Sequence, residues 1–270
     1  MIKITDIPFF NPADTLYCGQ VFRFKPVPDG FLVISADKCA KVYKDFIIST
    51  DDEYFTNYFD LHNDYGKIYN FARSFNIDVL DKAAEYGKGI RILKQNTTEA
   101  FFSFIISQNN NIARIKKTIE RLCENLGERL TFDGTEYYSF PSPAVFASKN
   151  TDFYEKMGLG YRSEYFLSAA KILADGFDLN ALRNLGYAEA KQKLKEFKGI
   201  GEKVANCVLL FGLNKTEGFP VDTWIAKIYT EDFKGSETDR EKMTAFFIDK
   251  FKDMGGYIQQ YLFYYKRSLK

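Results

Sequence analysis

The sequence predicts an α+β protein, with an N-terminal antiparallel β-sheet domain followed by mainly α-helical domains that contain a helix-hairpin-helix. Three observations predict it. Residues 1 to about 60 hold short runs rich in Val, Ile, Phe and Tyr, broken by turn-forming clusters. After Thr97 apolar residues recur at helical spacing. The stretch "KGIG" (198–201) then separates two helical segments with glycines.

Taken in order, "QVFRFKPVPDGFLVISADKCAKVYKDFIIST" (20–50) reads as three strands, with "PVPDG" and "ADKC" as turns of an antiparallel meander. "DDEYFTNYFDL" (51–61) sets acidic caps before an amphipathic segment and reads as a helix start. "TTEAFFSFIIS" (97–107) opens with Thr-x-Glu ahead of an apolar run, a capping-box arrangement. From there the pattern stays helical through "NIARIKKTIERLCENL", "SEYFLSAAKILADG" and "EKMTAFFIDKFKDM", with several segments ending near Gly. The change of pattern places a boundary near residue 96, giving domains 1–96 and 97–270.

Composition narrows the class. Aromatic residues make up 17% of the chain, with 27 Phe and 18 Tyr, which predicts an aromatic-rich core. The net charge of +1 carries no signal for a nucleic-acid partner, so any basic surface is local. Cys18, Cys39, Cys123 and Cys207 form no CxxC pair, which points away from zinc and iron–sulfur sites and from a disulfide framework. "MIKITDIPFF" lacks a basic-then-apolar leader pattern. Apolar stretches such as "AFFSFII" fall short of the roughly 20 residues that span a bilayer. The expectation is a soluble cytoplasmic protein.

The chemistry concentrates in one stretch. "YAEAKQKLKEF" reads as a helix, "KGIG" as a tight turn and "EKVANCVLLFGL" as a second helix. Gly199 and Gly201 let backbone amides approach an anion at the second helix's start, where a phosphate is the natural occupant. A glycine-mediated helix corner without a ligand fits the same residues. Lys203 stands in the first turn, where the helix dipole disfavours a cation. The helix around it is apolar from Val204 onward and reads as buried. Dipole and desolvation both favour the neutral amine, which is a nucleophile where an ammonium is not. A drop of about two units from about 10.4 raises the neutral fraction roughly a hundredfold. Asn206 and Cys207 follow on the same face, where a thiol beside an amine would tune both groups. In "GFPVDTWIAKIY", Asp222 is placed to cap a short helix, a role compatible with facing a nucleophile on a neighbouring element.

Helix-GxG-helix, an activated lysine and a downstream Pro-Val-Asp together resemble the HhH-GPD superfamily of base-excision DNA glycosylases. "GIGEKVANC", "PVDTW", "QNNNIARIKKTIERLC", "GLGYR" and "CGQVFRF" resemble the 8-oxoguanine DNA glycosylases in particular, in family order across most of the chain. The resemblance implies a sheet domain and two helical subdomains with the active site between them. It implies that Lys203 attacks C1′ of the damaged nucleotide, that Asp222 stabilises the cationic sugar, and that a Schiff base leads to β-elimination. It further implies that Asn109 fills the gap left by a flipped base, that Tyr161 wedges beside it, and that Arg114 and Arg162 grip the orphaned cytosine. Gly19 is implied to accept N7–H of the oxidised base, Cys207 and Phe263 to sandwich it, and Gln259 to read its Watson–Crick edge. Gln260 and Tyr264, adjacent in sequence, remain open as alternatives to the last two.

No cofactor or metal is implied. The implied partner is double-stranded DNA containing 8-oxoguanine, bound by a monomer associated with a prokaryotic nucleoid. Two departures stand out: Trp224 where family members often carry His, and Asn206 where they often carry Asp. A glycosylase for another lesion and a non-catalytic helix-hairpin-helix DNA-binding protein are the competing readings. Lys203 with Asp222 argues against the second.

Overall fold

The computed structural model describes residues 2–5 and 7–269. Its N-terminal part is built on a five-stranded antiparallel sheet of β1 (Ile2–Thr5), β2 (Phe24–Val27), β3 (Gly30–Ser35), β4 (Lys38–Tyr43) and β5 (Phe46–Ser49). The spatial order is β1-β5-β4-β3-β2. The three expected runs are therefore four strands, because the third folds back at Lys44–Asp45. Tyr43 then stacks on Phe46 across that turn, with centroids 4.5 Å apart. β1 went unread because its pairing partner, β5, lies more than forty residues away in sequence. Both faces of the sheet are covered, which accounts for the unbroken "FLVIS" run of β3. Val33, Val42 and Ile47 pack on one side with Phe55 and Phe59. Leu32, Ile34 and Cys39 pack on the other with Phe132 and Tyr137.

Helices α1 (Pro12–Tyr17), α2 (Asp52–Tyr58), α3 (Tyr65–Arg73) and α4 (Asp78–Gly87) complete this part. Asp51 caps α2 as expected, its carboxylate accepting the Tyr54 amide at 3.0 Å. α5 (Thr97–Ser107) begins differently from the expectation. Its N-cap is Asn96, and Glu99 does not reach back to close a capping box. The Glu99 carboxylate is buried and bonds Arg23 at 3.1 Å and the Ala36 amide at 2.7 Å. Ala36 has a left-handed backbone (φ 54°), so that bond also holds a strained turn in place. The buried charge is tolerated because it is paired.

α6 (Ile112–Leu126) follows, and then the helical pattern is interrupted, contrary to expectation. β6 (Arg129–Phe132) and β7 (Thr135–Tyr138) form a two-stranded hairpin around Asp133-Gly134, both at positive φ. Asp-Gly between short β-prone runs is the usual sequence signal for such a turn. The hairpin covers the outer face of the N-terminal sheet, with Lys41 bonded to Asp133 at 2.5 Å.

The remaining helices are α7 (Pro143–Ala147), α8 (Thr151–Lys156), α9 (Arg162–Ala174), α10 (Tyr187–Lys195), α11 (Glu202–Cys207), α12 (Thr223–Glu231), α13 (Arg240–Phe251) and α14 (Gly255–Ser268). α11 runs on into a π-helical turn, Val208–Gly212. The core is strongly aromatic, as composition predicts: Phe102, Phe146 and Phe166 interlock, and Phe219 stacks on Phe247 with centroids 4.3 Å apart. α14 returns to pack on α4 so closely that a Cβ at Gly87 would stand 2.9 Å from the Tyr261 ring. The largest buried cluster accordingly joins Cys18, Phe22 and the α3–α4 residues to the helices after residue 96. Among the described residues, no helix is long and apolar enough to cross a membrane.

Candidate active site

The structure gathers the sequence-derived residues into two groups joined by the α10–α11 hairpin. The first lies around the turn between α5 and α6. Asn109 sits there with a left-handed backbone (φ 44°) and an exposed side chain. Tyr161 is 55% exposed just ahead of α9. Arg162 holds the two loops together. Its Nε donates to the Gln108 carbonyl at 2.6 Å, and its Nη2 to the Asn109 carbonyl at 2.8 Å. Its Nη1 donates to the Leu159 carbonyl at 3.0 Å. The guanidinium also lies over the Tyr161 ring, 4.5 Å from the centroid.

Arg162 is only 4% exposed, which corrects the expectation of a guanidinium free to grip a base. In this structure it clamps the loop that presents Asn109, because carbonyls at the end of α5 lack helical partners and need donors. Arg114, by contrast, is exposed, with one long bond from Nη2 to the Gly158 carbonyl at 3.4 Å.

Tyr165, one turn along α9 from Tyr161, links this group to the hairpin. The two rings meet edge to face at 6.1 Å. At Gly199, φ is +84° and a Cβ would fall 2.4 Å from the Tyr165 ring, so only glycine fits. Gly201 differs: a Cβ there would meet nothing within 4 Å, leaving its amide side open to an approaching group. Sequence reasoning missed Tyr165, although its i+4 spacing from Tyr161 was visible. Glu202 was missed as well; it draws in Lys191 at 2.7 Å and Lys195 at 3.1 Å at the hairpin's base.

The second group is carried by α11, by the segment that leads into α12 and by α14. Residues 204–213 are buried as expected, but Lys203 is not. It is exposed, because it occupies the first turn while Val204, Ala205 and Cys207 take the inward positions. Among the described residues it makes no hydrogen bond or ion pair. The Cys207 thiol is pushed up to about 11, chiefly by burial; the nearby Lys203 pulls it down and Asp222 pushes it up. Amine and carboxylate therefore both flank one sulfur, and that sulfur stays protonated at neutral pH. Asn206 is fully buried, its Oδ1 accepting from the Tyr187 hydroxyl and its Nδ2 donating to the Glu202 carbonyl at 2.9 Å.

Asp222 caps α12 as the sequence predicts. One oxygen, Oδ1, accepts both the Trp224 and Ile225 amides at 2.9 Å. The other oxygen has no partner among the described residues. Trp224 is half-buried, with Lys227 over its ring at 5.3 Å.

Two residues before Asp222, the Pro220 carbonyl accepts from Gln259 Nε2 at 3.2 Å, which ties α14 to the capping segment. Gln259 Oε1 is buried without a partner. One turn on, Phe263 meets Gly19, whose φ is +97° and whose Cβ would lie 3.3 Å from the ring. The Gly19 carbonyl accepts no hydrogen bond among the described residues. The alternatives left open by sequence are otherwise engaged: Gln260 Nε2 bonds the Cys18 carbonyl at 2.9 Å, and the Tyr264 hydroxyl bonds Asp14 at 2.9 Å.

An unpaired amine and a carboxylate with a spare oxygen thus flank one buried thiol, and an aromatic ring packs on the bare face of a glycine. Residues 102–252 match the model of the HhH-GPD superfamily of base excision DNA repair proteins, and residues 2–101 match the N-terminal domain of 8-oxoguanine DNA glycosylases. A protein of Methanothermobacter thermautotrophicus named "probable N-glycosylase/DNA lyase" is 32% identical over 77% of this chain and 72% of its own length. The N-glycosylase/DNA lyase of Saccharomyces cerevisiae is 35% identical over 54% of this chain and 43% of its own. The Clostridium acetobutylicum 8-oxoguanine glycosylase/lyase, solved with double-stranded DNA carrying cytosine opposite 8-oxoguanine, superposes with a TM-score of 0.90 at 33% identity. That match covers 97% of this chain and 93% of the other. The chain therefore belongs to the HhH-GPD superfamily of base excision DNA repair proteins and carries the N-terminal domain of its 8-oxoguanine DNA glycosylases.

Proposed function

We propose that the protein is a bifunctional DNA glycosylase and AP lyase that removes 8-oxoguanine from duplex DNA. The observation that carries this reading is that the partnerless Lys203 and the half-free Asp222 carboxylate both act on the same buried Cys207 thiol. The target base leaves the stack, since its glycosidic bond is unreachable inside a duplex. Asn109 occupies the gap and Tyr161 wedges the neighbouring step. The hairpin amides around Gly201 hold the backbone through a phosphate, which positions without reading sequence.

In the slot, Phe263 and the neutral Cys207 thiol sandwich the base. The Gly19 carbonyl accepts N7–H of 8-oxoguanine, whereas guanine presents a lone pair at N7 and is rejected. Gln259 Oε1 meets the donors of the Watson–Crick edge. The neutral Lys203 amine forms a bond to C1′ as the C1′–N9 bond breaks and its electron pair leaves with the base. The free Asp222 oxygen supports the positive charge that develops on the sugar. The C1′–O4′ bond then breaks, O4′ taking up a proton as the Lys203 nitrogen releases one, and the opened sugar is left as an imine on Lys203. Loss of a C2′ proton then expels the 3′ phosphate.

Borohydride tests the reading: with an 8-oxoguanine duplex the reduced imine should leave protein and DNA covalently joined. Absence of any adduct from active preparations would sink it. Opposite-base preference is a separate expectation. Arg114 is free to meet the O2 and N3 acceptors of cytosine, and Arg162 joins it only by releasing the Gln108 and Asn109 carbonyls. Single-turnover excision should be at least about tenfold faster opposite cytosine than opposite adenine, the weight of one good base contact. Arg114→Ala should flatten that ratio. Equal rates opposite all four bases in the unmodified protein would refute the role of both arginines.

A further inference from the structure

One side chain at the base slot has no part in the chemistry above. Arg267 lies one turn beyond Phe263 on α14, with its guanidinium 5.1 Å from that ring's centroid. Nη2 donates to the Tyr17 carbonyl at 2.5 Å. Nη1 reaches the bare face of Gly19, 3.0 Å from where a Cβ would stand. It is shielded from solvent and has no hydrogen-bond partner. Among the described residues, no carboxylate pairs with Arg267. A buried guanidinium donor without an acceptor is destabilising, so an acceptor arriving at this point gains more than usual.

We infer that Arg267 is a specificity residue of the slot, donating from Nη1 to a carbonyl oxygen on the N7 edge of the flipped, oxidised purine. The inference rests on the glycosylase reading and adds a second readout to it. Gly19 sets an acceptor and Arg267 a donor side by side, which matches an N7–H flanked by C6=O and C8=O. The same pair discriminates against other bases. Adenine turns an amino group toward this edge, where two sets of donors face each other. A purine nucleoside alkylated at N3 or N7 carries positive charge, which the guanidinium repels. Arg267 thus directs the slot toward neutral, carbonyl-bearing lesions and away from cationic ones.

The test compares Arg267→Met, which keeps a long stem over Phe263 but removes every N–H, with the unmodified protein. Each is assayed under single turnover on a duplex with 8-oxoguanine opposite cytosine, and on the same duplex with an abasic site at that position. The abasic duplex has no base for Arg267 to touch. Excision of 8-oxoguanine should fall about ten- to hundredfold, as expected for one hydrogen bond from a charged donor, and far more than abasic cleavage falls. Arg267→Lys should recover part of the loss. An equal loss on both duplexes would show that Arg267 only supports the fold or DNA binding, and would overturn the inference. Unchanged or faster excision would overturn it too, marking Arg267 as a placeholder that must leave before the base enters. If the unmodified protein cut neither duplex, the glycosylase reading itself would fail and take this inference with it.

Discussion

Lys203→Gln is expected to abolish borohydride trapping and to cut base excision and strand cleavage by on the order of 10⁴- to 10⁶-fold, the usual scale for losing a covalent nucleophile. The fold should barely notice. Lys203 is exposed and makes no hydrogen bond or ion pair among the described residues, so its replacement belongs with surface changes worth within about 0.5 kcal/mol. Losing an ammonium from the helix's first turn relieves rather than adds strain. Thermal melting of the variant should therefore overlay the parent, while gel-resolved trapping on an 8-oxoguanine duplex falls to background. DNA affinity should survive, because the hairpin amides and the Asn109 loop are untouched. Adduct formation by the variant at the parent's rate would assign the nucleophile elsewhere.

Asp222→Asn should separate two roles that share one side chain. Oδ1 caps α12 through the Trp224 and Ile225 amides, and asparagine caps about as well as aspartate. Stability should stay within a few tenths of a kcal/mol. The spare oxygen is different, since only a charged carboxylate stabilises a cationic sugar. Single-turnover excision should fall about 10²- to 10³-fold, comparable to removing one preorganised electrostatic group. Asp222→Ala should show the same kinetic loss together with about 1 kcal/mol less stability, because the cap goes as well. If Asp222→Asn lost stability while keeping its excision rate, capping would be the residue's whole purpose.

The sequence was most legible where local periodicity decides structure. α6, α9 and α13 follow apolar spacing, and Asp51 and Asp222 cap the helices their positions suggest. Legibility failed where a distant partner decides. β1 has four residues and gains its identity only from β5. The β6–β7 hairpin announced itself by Asp133-Gly134 but was masked by helical segments on both sides. Glu99 was spaced for a capping box, yet Arg23 and the Ala36 amide, both remote in sequence, outcompete that local bond.

At the site, motif order located the residues but not their present partners. The apolar helix suggested a buried Lys203, whereas its first turn opens outward. The resemblance implies a base-gripping Arg162; four hydrogen bonds to main-chain carbonyls hold it in this structure. Arg267 drew no notice because its meaning depends on Gly19, at the opposite end of the chain.

That last closure also orders events during synthesis. α14 brings Gln260 to the Cys18 carbonyl and Phe263 to Gly19, and packs against α4 across most of the chain's length. If Lys203 is the nucleophile proposed above, a ribosome exposes that amine well before it releases the ring that faces Gly19. On that reading an emerging chain carries its reactive group ahead of its substrate filter, which closes only as α14 docks.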